Sequence, residues 1–412
     1  MKYFASILLL FPIICDGKER GYILEISNTT YYAAYNSPVV VTLNDIPDLS
    51  FNVVSAKVSD GENTLPCQLD DIDDDGINDE LCFLYDLDIN CTKQLILTLS
   101  DQKEECPFPT VVYADMMLDD KKGKHPVITR LEAPGSSYLF NDLYHHGVAF
   151  ESLITGYRIY FDERQNIDLY GKKEQRLELS ATGFYTTVDQ LKEGYGNDVL
   201  WAGNSIGCGS LKLWVGETVT NWTNVATRCQ SIKSVGPVRT VVEISDRGVL
   251  INGASYNIKT LYSQYSNHRD LYVDVFLSNP INEPFLCTGV QKIGSNPEAI
   301  SYNGGIKSEG FIHEGLAASW GSDYPELGKK ELFPPEAVGL AVKVDSEYLS
   351  FSKTDELNYL LIIGKESQQH LKYYISFCAD KEKNGYHNAN EWFRSLDDWH
   401  PCLLSYKINK TD

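Results

Sequence analysis

The sequence predicts a mainly β protein with few helices, divided into a small N-terminal β-sandwich and a large antiparallel β domain. Three observations carry this. Apolar and polar residues alternate in runs such as Tyr272-Val-Asp-Val-Phe-Leu277, the period of a half-buried strand. Tyrosine is abundant, at 26 residues, and Val, Ile and Thr are frequent; these residues suit a pleated surface. Only one stretch, 388–399, carries a clear helical period, through Trp392, Leu396 and Trp399.

The elements follow in order. Met1-Lys-Tyr-Phe and the apolar run Ala5 to Cys15 read as a secretory signal over residues 1–17. The run is shorter than the roughly 20 apolar residues that a membrane span needs. Cys15, followed by Asp16, is a candidate lipid-anchor site, although Ile13 and Ile14 stand where small residues are expected. Residues 20–118 read as the small sandwich. Strands are expected at Tyr22-Ile-Leu-Glu-Ile26, Val39-Val-Val-Thr-Leu43 and Gln94-Leu-Ile-Leu-Thr-Leu99. The polar stretch 119–126, with Gly123 and Pro126, marks a boundary. Residues 127–412 form the large domain, with strands at 157–163, 238–245, 256–263, 271–277, 338–343 and 358–363. The polar stretches 187–206 and 294–330 read as long loops, and the helix 388–399 packs on the sheet.

The formal net charge of −21 argues against nucleic-acid binding, which needs a basic footprint. It leaves room for a local Arg/His cluster that meets an anionic sugar. Ten cysteines include one in the signal; of the rest, Cys67, Cys82, Cys91 and Cys106 are the best disulfide candidates, with their pairing open. No H-E-x-x-H or Walker motif is present, so a zinc-protease reading has no support. No organic cofactor is expected.

The acidic run 71–80 places Asp71, Asp73, Asp75 and Asp79 at the first, third, fifth and ninth places of a calcium loop, with Gly76 at the sharp turn. Hard carboxylate oxygens suit Ca²⁺, here in a structural role. Cys82 stands where a bidentate Glu is usual, and a solvated acidic hairpin is the competing explanation.

The densest chemistry lies in 144–173. His145 and His146 are adjacent, and Glu151, Tyr157, Arg158, Tyr160, Asp162, Asp168 and Tyr170 follow. In a strand, neighbours face opposite sides, so at most one of the two histidines should point into a cleft, the other bonding within the core or rim. Histidine suits proton transfer near neutrality. Arg158 and Tyr160 share a face; the guanidinium suits a carboxylate, and the phenol suits a sugar oxygen. A buried polar network bracing the sheet would use the same residues. His268 and Arg269 form a candidate second pole. His313, Trp320, Asp323 and Tyr324 are candidate sugar contacts, as is Trp201 in the Gly-rich loop.

The 144–173 stretch and the later segments Gly207-Cys-Gly-Ser-Leu-Lys-Leu-Trp214, Gly236-Pro-Val-Arg239, Asn267-His-Arg-Asp270, Thr288-Gly-Val-Gln-Lys292, Trp320-Gly-Ser-Asp-Tyr-Pro325 and Glu391-Trp-Phe393 carry a resemblance. Together they resemble a family of secreted proteins of unknown function from Bacteroidetes polysaccharide-utilisation loci. That family is similar to the galactose-mutarotase-like β-supersandwich proteins, which include polysaccharide lyases and glycosidases. The resemblance implies a supersandwich for the large domain and export to the periplasm or surface of a Gram-negative cell. It assigns no activity.

The residues then point to a carbohydrate-active enzyme acting on an acidic or complex polysaccharide, with a lyase first. β-Elimination would use Arg158 or Arg269 on the uronate carboxylate, His146 or His268 as base, and Tyr160 as acid, with His145 a further catalytic candidate. A glycosidase would instead use a carboxylate pair, Glu151 with Asp323. A non-catalytic glycan-binding protein is the third reading. Each expects the segments 144–170, 267–270 and 313–324 to converge on one concave face.

Overall fold

The computed structural model describes residues 17–281, 285–294, 298–303, 314–326, 329–364 and 368–410. The signal-like segment, Cys15 and His313 lie outside the described residues. The described chain is built of antiparallel sheets with two α-helices, Val188–Lys192 and Ala389–Asp397. No helix among these residues is long and apolar enough to cross a membrane.

The N-terminal sandwich packs two sheets face to face. One has the order Ser405–Lys410, Glu19–Ser27, Thr92–Ser100, Ser55–Ser59, Thr64–Leu65; the other Ala34–Thr42, Glu80–Leu87, Cys67–Asp70. Period-two burial sets the faces: Tyr22, Leu24 and Ile26 are buried while their neighbours are not. Val39, Val41, Phe83 and Leu97 complete the core. The last strand crosses from the far end of the chain, with Leu24 opposite Ile408. Residues 405–410 thus belong to the small sandwich, not the large domain. At the other border, Tyr113–Asp115 pairs with Gly147–Glu151, so the crossover lies before 113 and not at 119–126. The described cysteines are all free, including Cys67, Cys82, Cys91 and Cys106. Cys82 is fully buried in a sheet and Cys91 is exposed at a turn, whereas Cys67 and Cys106 line one cavity.

The large unit rests on a nine-stranded antiparallel sheet. Its order is Glu298–Asn303, Glu314–Asp323, Glu336–Asp345, His370–Ala379, Leu271–Leu277, Ala254–Tyr265, Arg239–Ile251, Thr227–Val235 and Arg130–Pro134. The first two of these lie in the stretch expected to be a loop. Small and apolar residues at alternate positions, Leu316, Ala318 and Trp320, pack under the C-terminal helix and explain the strand. The expected loop 187–206 contains the short helix, held by a Thr187–Gln190 capping box, and the strand Asn197–Asp198.

Two five-stranded sheets share the main core with one face of the large sheet. One contains Lys212–Val215, Phe285–Gln291 and Asn358–Ile363. The other has the order Asn197–Asp198, Ile167–Gly171, Thr155–Tyr160, Gly147–Glu151, Tyr113–Asp115, and it positions the site described below. The opposite face of the large sheet is covered by the helix Ala389–Asp397, through Trp392 and Leu396, and by the small sandwich, through Cys82.

The seam between the units is polar and buried. Arg239 donates through Nε to Asp70 at 2.8 Å and pairs with Glu80. Gln68 accepts from the Val238 and Arg239 amides, both at 3.0 Å. Replacing Arg239 with Met leaves Asp70 buried without its cation. Urea unfolding of Arg239→Met should show a loss of roughly 3–5 kcal/mol; a loss near zero would mean that the seam does not depend on this cation.

Candidate functional site

The Tyr113–Asp198 sheet has one apolar and one charged face. Val148, Phe150, Tyr157, Ile159, Ile167 and Leu169 enter the main core. Because side chains alternate, their neighbours project oppositely. The register sets them in rows across the strands: Asp115, Ala149, Arg158 and Asp168 in one, and Tyr113, Glu151, Gly156, Tyr170 and Asp198 in the next.

Segment 172–187 holds this charged face through a continuous hydrogen-bond network. Glu151 pairs with Lys172 at 2.5 Å and accepts from the Glu178 and Leu179 amides, each at 2.7 Å. Glu178 accepts from the Tyr170 hydroxyl at 2.9 Å and the Gly196 amide at 2.7 Å. Burial pushes Glu151 up and Lys172 down in pKa, against their mutual attraction. Gly156 leaves room for its strand neighbour and for the segment; a Cβ there would lie 3.2 Å from Tyr170 Cβ and 3.4 Å from Leu179 Cδ1. Glu151 is fully buried and cannot form a substrate-flanking pair with Asp323.

Arg158 is also fully buried. It donates to Asp168 at 2.5 Å and to the Phe184 carbonyl at 2.6 Å, with the Phe184 ring centroid 4.1 Å from its guanidinium carbon. Asp198 is hydrogen-bonded to Asp168, and burial followed by the Asp168 charge pushes its pKa far above the carboxylate range. The Arg158 charge opposes this rise. Tyr160 and Tyr185 are half-buried and feel both carboxylates; burial is the main cause of their raised pKa values. Tyr185 donates to Glu326 at 2.5 Å. Trp201, three residues after Asp198, is 44% exposed.

The two histidines depart from the strand expectation. His146 precedes the strand, at φ 60°, so the parity argument does not apply to it. Its Nδ1 lies 2.8 Å from the Phe140 carbonyl, and its ring stacks on Phe140. Burial lowers its pKa. His145 is fully buried, and burial lowers its pKa to about 3. Sealed from solvent, it cannot serve as a substrate base.

The three segments do not converge. His268 points to the seam, with Nδ1 2.9 Å from Asp270 and Nε2 2.7 Å from the Asn36 carbonyl. Arg269 turns to Glu382 at 2.7 Å. Trp320 is 5% exposed and belongs to the core under the helix. Asp323 caps the Tyr324 amide at 2.8 Å, and Lys330 stands over the Tyr324 ring. Asp168, Asp198, Tyr185 and Glu326 were not nominated from sequence. Asp168 had a signal, since a hairpin joining 157–160 to 167–170 sets it opposite Arg158; Asp198 had none.

In the acidic loop, Asp71, Asp73 and Asp79 bring carboxylate oxygens within 4.8 Å of one another. Asp75 instead caps the Ile77 amide at 2.8 Å. Backbone amides 72–76 hold the three clustered carboxylates in place.

His268 faces an acceptor at each ring nitrogen, so both bonds require the imidazolium. Burial lowers its pKa, but Asp270 and the two hydrogen bonds outweigh burial and leave it raised. A raised folded pKa gives stability that is full below the unfolded value of about 6.5 and is lost as pH rises through the folded value. The wild type should therefore lose roughly 1–3 kcal/mol more than His268→Gln between mildly acidic and alkaline pH. Parallel stability–pH curves from thermal unfolding would refute the imidazolium assignment.

Two solved structures from Enterococcus faecalis resemble the chain over 94% of its length. One is titled as an alpha-mannosidase, at TM-score 0.48 and 10% identity; the other as a protein in the glycosyl hydrolase family 38, at 0.45 and 9%. The chain spans about half of each, 46% and 47%. No curated protein matches it. Residues 26–405 match the family described as "Domain of unknown function (DUF4861)", so the chain belongs to that family.

Proposed function

We propose that this chain is an exported carbohydrate-active hydrolase whose proton donor is the Asp168–Asp198 pair. The observation that carries the reading is the buried contact of Asp198 with Asp168, itself bound by Arg158, which raises the Asp198 pKa. Glycosidic cleavage needs one carboxyl group kept protonated and a second that acts as base or nucleophile. Asp198 fits the acid. Glu326, held by the Tyr185 hydroxyl, is a candidate for the second role. Tyr160, Tyr185 and Trp201 supply aromatic surface and hydroxyls of the kind that sugars recruit. The order of readings from the sequence thus reverses. A lyase keeps only His146 as a base, because His145 is sealed and His268 lies in the seam.

The test is release of reducing ends from a panel of plant and bacterial polysaccharides and aryl glycosides. Asp198→Asn should lower kcat by about 10²- to 10⁴-fold while leaving the melting temperature near that of wild type. Activity of the wild type should fall on the alkaline side, as pH passes the raised pKa of the acid. Full turnover by Asp198→Asn would refute the assignment, and an unsaturated, ultraviolet-absorbing product would replace the hydrolase with a lyase.

The acidic loop is proposed as a structural Ca²⁺ site, held by Asp71, Asp73 and Asp79. Ca²⁺ should raise the melting temperature, EDTA should reverse this, and Asp73→Ala should abolish the response. No Ca²⁺ effect on the wild type would leave a hairpin held by amide caps alone.

A further inference from the structure

The geometry points to an oxyanion-binding pocket, at the end of segment 172–176, that takes the carboxylate or sulfate group of an acidic sugar. A cavity of about 260 Å³ is lined by Lys172, Lys173, Arg176, Arg269 and Lys383, against the carboxylates Glu174 and Glu382. Five cations on one small wall are unexpected in a chain of net charge −21.

Most of these cations are occupied, which narrows the binding atoms. Lys172 donates to the Ser152 carbonyl at 2.5 Å and the Arg176 carbonyl at 2.7 Å, and it pairs with Glu151. Arg176 pairs with Glu178 at 2.8 Å, and Lys383 pairs with Glu174. Arg269 differs. Its Nη1 takes both protein partners, the Phe377 carbonyl at 3.1 Å and Glu382 at 2.7 Å. Among the described residues its Nε and Nη2 donate to nothing, although the side chain is only 17% exposed. Lys173 is exposed and has no ion pair among the described residues. The wall therefore offers an open guanidinium edge and a free ammonium.

A planar oxyanion matches an open guanidinium edge by two parallel hydrogen bonds, and a nearby ammonium adds charge. A neutral sugar would leave these donors less well matched. The global negative charge does not forbid the site, because charges beyond about 8 Å are largely screened at physiological salt. The pocket is distinct from the acid pair, since neither Asp168 nor Asp198 lines it. The proposal rests on the carbohydrate reading for the body of the ligand, but not for its charge.

The experiment is calorimetric titration of the full chain at low salt with D-glucuronate, inorganic sulfate and D-glucose. Glucuronate and sulfate should bind and compete, and glucose should not. Tighter glucuronate identifies a sugar carboxylate as the ligand group, and tighter sulfate a sulfate ester. Lys173→Ala should weaken binding about threefold and Arg269→Lys, which keeps the charge beside Glu382 but loses the fork, about tenfold. Asp198→Asn should bind glucuronate as wild type does, so loss of the acid and loss of the pocket read out separately. Absence of anion binding, or equal affinity in wild type, Lys173→Ala and Arg269→Lys with unchanged melting temperatures, would overturn the proposal.

Discussion

A β-sheet that buries charge on one face must bury the partners of that charge with it. The sheet from Tyr113 to Asp198 shows what this constraint produces. Glu151, Arg158, Asp168, Tyr170 and Asp198 project from the face away from the core, and all are nearly or wholly buried. An isolated buried ion costs several kcal/mol even after relaxation. Segment 172–187 removes most of that cost, because it brings Lys172, the Glu178 and Leu179 amides and the Phe184 carbonyl to meet those groups. The path of this segment is thus set by charge satisfaction more than by apolar packing.

The same constraint separates the bracing half of the network from the reactive half. Glu151 has Lys172 and two amides, and Glu178 has Arg176 and the Gly196 amide. Around Asp168 and Asp198 two carboxylates share one guanidinium, and burial with the Asp168 charge raises the Asp198 pKa. A shortage of cations at that end creates an acid. The seam with the small sandwich repeats the logic with the opposite outcome. There Arg239 faces two carboxylates, but Gln68 and Ser234 share Asp70, and the result is a structural joint.

Much of the fold was legible. Strand 271–277 and strand 358–363 were read to the residue, because their alternation or apolar run is uninterrupted. The C-terminal helix was visible through Trp392 and Leu396. The strand at 314–323 was not, since Gly, Ala and Ser dilute the alternation that packing of Leu316, Ala318 and Trp320 under the helix rewards. The return of Ser405–Lys410 to the small sandwich is a long-range pairing that no local pattern encodes. For the site, sequence located the right stretch but misassigned its roles. Residue type showed that His145, Glu151 and Arg158 carry chemistry; it did not show that all three are sealed. Asp198 was invisible because its character comes from Asp168, thirty positions away, and not from its neighbours.

The central claim is that Asp198 is a carboxylic acid, not a carboxylate, under physiological conditions. Site-resolved carboxyl ¹³C NMR of the full chain, titrated from acidic to alkaline pH, measures this directly. The account predicts that the Asp198 carbonyl keeps the shift of the protonated form through neutrality and titrates only above it, together with a perturbation at Asp168. A single Asp198 transition near the ordinary aspartate value of about 3.9 would contradict it.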